Sequence, residues 1–250
     1  MSEWIGLVRS FVVYWRPGRQ RALRELYAPF VREGDLVFDV GAHLGDRAVA
    51  FAALGARVIA LEPQPRIARW LRRIVAGNDR IVVRSEAVGA APGRGHLAVS
   101  RAHPTVSTMS ESWRDGVARA NPGFRDVRWE DSVEVTVVTL DELIASHGTP
   151  RFCKIDVEGY EAEVLAGLSQ PVAALSVEFV AGQLDVVAAC VRRLQELGPY
   201  RFNVVLGERR RFELAEWQSA SAMLEWLASG AVGASSGDMY ARLEAAREAP

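Results

Sequence analysis

Four acids stand where an α/β chain can do chemistry: Asp39, Glu62, Asp156 and Glu178 each sit at or near the end of an apolar run. Asp39 lies in Leu36-Val37-Phe38-Asp39-Val40, directly ahead of Gly41-Ala42-His43-Leu44-Gly45. The β-branched and aromatic residues of that run describe a strand buried on both faces. A carboxylate is costly to bury, so Asp39 is expected at the strand's exposed carboxyl end. Gly41 and Gly45 allow a sharp turn and close approach to a ligand. Residues 48–54 read as the following helix, with its positive end near the turn amides. A second strand, 57–61, ends at Glu62-Pro63, about 20 residues after Gly41, where an acid can accept hydrogen bonds from both hydroxyls of a ribose.

The spacing narrows the cofactor. A dinucleotide site uses G-x-G-x-x-G, whose middle glycine makes room for a pyrophosphate. Here the pattern is G-x-x-x-G, and an acid that would repel phosphate precedes it. S-adenosylmethionine has no phosphate but carries an ammonium, a carboxylate and a sulfonium. Asp39 is expected to attract its cationic parts, and the amides of Gly41, Ala42, His43 and Gly45 to receive its carboxylate. An NAD-dependent oxidoreductase and a non-catalytic cofactor-binding subunit are the rival readings.

The segments FDVGAHLGDRAVAFAALGARVIALEPQP, SEAVGAAPG and KIDVEGYEAEVLAGL resemble the FkbM family of S-adenosylmethionine-dependent methyltransferases. The similarity runs from about Gly34 to about Phe179. The resemblance implies a Rossmann-like class I methyltransferase fold, mainly parallel and seven-stranded, in the order 3-2-1-4-5-7-6 with an antiparallel last pair. It implies that Glu86 and Ala87 contact the adenine, and it raises the standing of Ser107-Thr108. It also implies a hydroxyl acceptor on a small molecule such as a sugar or polyketide of specialised metabolism; N-methylation is not excluded by the residues themselves.

Asp156 and Glu178 fall at the tips of strands that would be neighbours about 4.8 Å apart, so they are expected to converge beside the methyl group as catalytic residues. Asp156 is counted with the cofactor site as well. Two such carboxylates share a proton or hold a divalent cation; the metal-free base is the expected route. His103 is a third candidate base, against its ordinary reading as a surface histidine.

The elements around these residues follow from periodicity. A length of 250 residues and a hydrophobic fraction of 49% fit one large domain with helices on both sheet faces. Residues 1–33 are expected to form a helical cap or to pack on the sheet edge, 34–243 the core, and 244–250 a tail. Residues 101–131 read as a loop insertion shaping the acceptor pocket, with Trp113, Trp129, Tyr14 and Trp15 lining an apolar cleft. A formal net charge of −1 gives no pull toward nucleic acid or a membrane surface. Cys153 and Cys190 read as core residues of a reducing compartment, and no segment is long enough to span a bilayer, so a cytoplasmic protein is expected.

Overall fold

The computed structural model describes residue 15 and residues 18–244. The helix expected over residues 3–15, but for its last residue, and the tail after residue 244 lie outside these. In chain order the strands are β1 (Leu36–Val40), β2 (Arg57–Leu61), β3 (Ile81–Arg84), β4 (Ala87–Val88), β5 (Gly93–Val99), β6 (Asp131–Val138), β7 (Phe152–Ile155), β8 (Ala174–Val180), β9 (Tyr200–Leu206) and β10 (Ser236–Leu243). The helices are α1 (Arg19–Tyr27), α2 (Asp46–Ala53), α3 (Pro65–Ile74), α4 (Glu111–Ala120), α5 (Leu140–His147), α6 (Glu161–Ala166), α7 (Leu184–Leu197) and α8 (Ala220–Ala228).

Seven strands form the main sheet in the order β3-β2-β1-β7-β8-β10-β9, with β10 antiparallel to both neighbours and the other pairings parallel. This is the expected order. Side chains alternate across it. Phe38 and Val40 join the core cluster shared with α5, α6, α7 and α8, whereas Val37 joins the cluster beneath α1 and α2. The same alternation turns Asp39 toward α2.

Local chemistry sets the element ends. Thr139 and Glu142 form a complete capping box at the start of α5, and Ser110 caps α4 by accepting from the Trp113 amide. Helix α1 ends at Tyr27, and Pro29, two residues on, has no N–H to continue its hydrogen-bond ladder. The last helix begins at Ala220, where Ser219 caps it, and not at Trp217.

Helix α1 falls within the expected 1–33 cap. Tyr27 packs on Phe51 and Phe152, with ring centroids 4.3 Å and 5.5 Å apart, so this helix covers a sheet face. Its Arg19 reaches Asp46 at 2.7 Å and Glu208 at 2.8 Å.

A second sheet, β4-β6-β5, stands beside the main one. The segment between β5 and β6 corrects the expectation of a poorly packed loop. Trp113 is 1% exposed and sits among Val106, Val117, Val127 and Val180, with its ring edge-on to Phe124 and Trp129. A tryptophan packed this way closes a small core of its own, and neither Trp113 nor Trp129 lines the cleft at the strand ends. Gly159 is the matching concession: a Cβ there would lie 2.2 Å from the Trp113 ring.

Trp113→Ala is expected to remove about 3–5 kcal/mol of local stability, the usual loss for a buried large aromatic. Limited proteolysis checks this. Cleavage within 101–131 should become fast where the wild type resists, and equal resistance would contradict the packing described.

Candidate active site

The loops at the carboxyl ends of the parallel strands enclose a cleft of about 880 Å³, part of it open to solvent. Its walls combine apolar residues, among them Leu61, Val88, Leu97 and Met109, with several carboxylates. Crevices at strand carboxyl ends are the usual binding places of open α/β sheets.

Glu62 is fixed at the tip of β2 by two backbone amides. Its Oε2 accepts from the His43 N–H at 3.0 Å and its Oε1 from the Gln64 N–H at 2.8 Å. Burial raises its pKa to about 7 against these two hydrogen bonds. Each carboxylate oxygen has two lone pairs, so one per oxygen remains for a diol.

The glycine turn differs from expectation. The Gly41 and Ala42 amides both donate to the Leu61 carbonyl, the His43 amide to Glu62, and the Gly45 amide to the Ala42 carbonyl. These four donors are engaged within the protein, so they are not poised for a ligand carboxylate. The glycines answer to packing as well. At φ +80°, a Cβ on Gly41 would lie 1.8 Å from the Asp156 carbonyl oxygen, and one on Gly45 2.4 Å from Leu71. Gly41 and His43 line the cleft; Ala42 and Gly45 are buried behind it. Burial lowers the His43 pKa to about 4, keeping its ring neutral.

Asp39 is also corrected. It is fully buried, does not line the cleft, and neither carboxylate oxygen has a hydrogen-bond partner. The pleat directs it inward, where burial raises its pKa to about 6 against the pull of Lys154 and Arg47.

At the tips of β7 and β8 the carboxylates of Asp156, Glu158 and Glu178 come together, with ligand oxygens all within 4.8 Å. Lys154, 1% exposed inside β7, donates to Asp156 at 2.6 Å. Burial opposes ionisation of Asp156, but Lys154 and Arg47, with hydrogen bonds from Glu178 and Lys154, outweigh it and hold its pKa below the usual range. Burial and the Asp156 charge push Glu178 well above its ordinary value. Two carboxylates this close disfavour a second negative charge, so Glu178 holds its proton more tightly than Asp156 does. Glu158, at a left-handed φ of 57°, has a buried Oε2 without a hydrogen-bond partner, and burial beside Asp156 raises its pKa too. The trio has the donor types a divalent cation takes, but Lys154 already engages Asp156.

The remaining expected residues divide. Pro63, Glu86 and Ala87 line the cleft, with the Glu86 carboxylate held by Arg84 at 2.5 Å. His103 is half-buried and does not line it. Ser107 accepts from Gln64 at 2.8 Å, and Thr108 donates to the Glu158 carbonyl at 2.7 Å, tying the insertion to both sides of the site. Sequence reasoning missed Lys154 and Arg47. Lys154 had a signal: a lysine inside an apolar strand needs an anion beside it. Arg47 had none.

Comparisons with known proteins show the family to which the chain is similar. The family described as Methyltransferase FkbM domain matches residues 39–232. Hexuronic acid methyltransferase AglP of Haloferax volcanii is 31% identical over 179 residues, which cover 69% of this chain and 66% of that protein. The match thus spans just under two thirds of the relative's length. Precorrin-6y C5,15-methyltransferase of Geobacter metallireducens is 13% identical, with a TM-score of 0.47, covering 90% of this chain and 86% of that one. A SAM-dependent O-methyltransferase of Thermotoga maritima is 13% identical, with a TM-score of 0.44, covering 93% and 67%. Among the described residues, no helix is long and apolar enough to cross a membrane.

Asp39 yields a pH prediction. Its carboxyl ionises near 3.8 in the unfolded chain and near 6 in the folded one. The native state binds more protons between those values, so this group's contribution to stability falls as pH rises through that window. Asp39→Asn lacks the effect and should melt higher than wild type at pH 7, the gap closing toward pH 4. A variant less stable than wild type at pH 7 would mean that the Asp39 charge serves Lys154 and Arg47.

Proposed function

The chain belongs to the FkbM methyltransferase family, and from that premise we propose that it transfers the methyl group of S-adenosylmethionine to a hydroxyl oxygen of a small polar metabolite, with a sugar acid as the leading acceptor class. The observation that carries this reading is the presence, in one cleft, of the amide-held Glu62 and the Asp156–Glu178 pair. The acceptor class comes from the Haloferax volcanii relative, described as a hexuronic acid methyltransferase.

The residues fit the cofactor. Glu62 keeps lone pairs for two ribose hydroxyls, Glu86 and Ala87 with Leu61 and Val88 offer a partly apolar seat for a base, and the acid trio suits a cationic centre. When bound, S-adenosylmethionine supplies a methyl group activated on a sulfonium. The protein's part is alignment, since an in-line displacement gains most from holding the two reactants in register. The acceptor hydroxyl must also lose a proton. Asp156 is the more readily ionised of the two acids, so the pair can take it at a carboxylate oxygen as the new oxygen–carbon bond forms. Lys154 keeps a negative charge on the pair until then.

Titration calorimetry with S-adenosylhomocysteine tests the cofactor half. Saturable binding is expected, with none of NADH; the reverse would overturn the reading. A diol bonded to Glu62 favours its ionised form, so affinity should rise as pH climbs toward about 7 and level off above it. Glu62→Gln should weaken binding about tenfold to hundredfold and flatten that profile. Labelled methyl transfer to a panel of uronic-acid and neutral glycosides tests the other half. Asp156→Asn, in protein shown to stay folded, should slow it by about 10²–10⁴, the usual size of a proton-transfer contribution. Full activity would remove the pair from the chemistry.

A further inference from the structure

We propose that Arg47 is the carboxylate-binding residue of this cleft, a role that rests on the methyltransferase reading and deepens it. Both the cofactor and a sugar-acid acceptor carry a carboxylate, and something in the cleft must meet it. The four turn amides that would otherwise do so donate to Leu61, Glu62 and Ala42 instead. His43 is kept neutral by burial. Lys154 is 1% exposed and bound to Asp156 at 2.6 Å.

Arg47 lines the cleft, and its side chain is 15% exposed. Its neighbours leave it incompletely matched. Asp46 takes its close partner from Arg19 at 2.7 Å and meets Arg47 only at 3.5 Å, and the Arg47 Nε is buried with no hydrogen-bond partner. A desolvated guanidinium with open donors is the group best suited to a carboxylate, which it can grip with two parallel N–H bonds. The acids around it then serve as a filter. The ionised Asp156 repels an anion placed on its side, so a carboxylate is favoured where Arg47 faces it.

Two paired titrations on wild type, Arg47→Lys and Arg47→Gln identify which carboxylate is held. The first compares S-adenosylhomocysteine with its decarboxylated analogue. The second compares methyl glucuronide with methyl glucoside, both on protein saturated with S-adenosylhomocysteine. Wild type should prefer the carboxylate-bearing member of at least one pair by about tenfold to hundredfold. Arg47→Gln should abolish that preference while leaving the other member's affinity in place, and Arg47→Lys should keep part of it. A preference lost in the first pair assigns the cofactor's carboxylate, and in the second the acceptor's. Wild type that binds S-adenosylhomocysteine but prefers neither acid, or Arg47→Gln that keeps the preference or weakens both members equally, overturns the role while sparing the methyltransferase reading. No binding of S-adenosylhomocysteine by wild type overturns both.

Discussion

The buried pair of Lys154 and Asp156 is the interaction on which the rest of the site depends. Strand β7 lies in the middle of the main sheet, between β1 and β8, and all four of its residues are buried. A lysine there would ordinarily lose its proton or break the strand. Burial does pull the Lys154 pKa down, but Asp156 outweighs it and the ammonium stays charged. Removing either partner would leave a lone buried charge, at a typical cost of about 3–5 kcal/mol. The pair then acts on its neighbour: burial and the Asp156 charge together push the Glu178 carboxyl in β8 well above its ordinary pKa.

Backbone contacts lock the cofactor side to this centre. The absence of a Cβ on Gly41 lets the turn after β1 sit against the Asp156 carbonyl, and the His43 amide of that turn holds Glu62. Glu161 orders the turn after β7 by accepting from the Val157 and Gly159 amides. Thr108 adds the insertion by its bond to the Glu158 carbonyl. Glu62, the acid cluster and the insertion are therefore joined by hydrogen bonds and close packing.

Much of this was legible in the sequence. The strand order was implied by the family resemblance, and the meeting of Asp156 with Glu178 follows from that order and from acids at the ends of apolar runs. Two kinds of feature were not. The pleat decides which way a residue within a strand points, so Asp39 read as a site acid and is a buried one. Hydrogen-bond partners depend on the loop's path, so turn amides that looked open were already bonded to Leu61. The insertion misled because its aromatic residues pack on each other: Trp113, Phe124 and Trp129 form a core too short and irregular to show a periodicity.

The direct test of the central claim is the protonation of Glu178. Infrared difference spectra of wild type minus Glu178→Gln, at neutral pH and without ligand, report whether a protonated carboxyl is lost with that side chain. The carbonyl band of a carboxylic acid is expected in that difference. A difference showing only the bands of an ionised carboxylate would mean that both acids are charged side by side, and a protonated Glu178 would be contradicted.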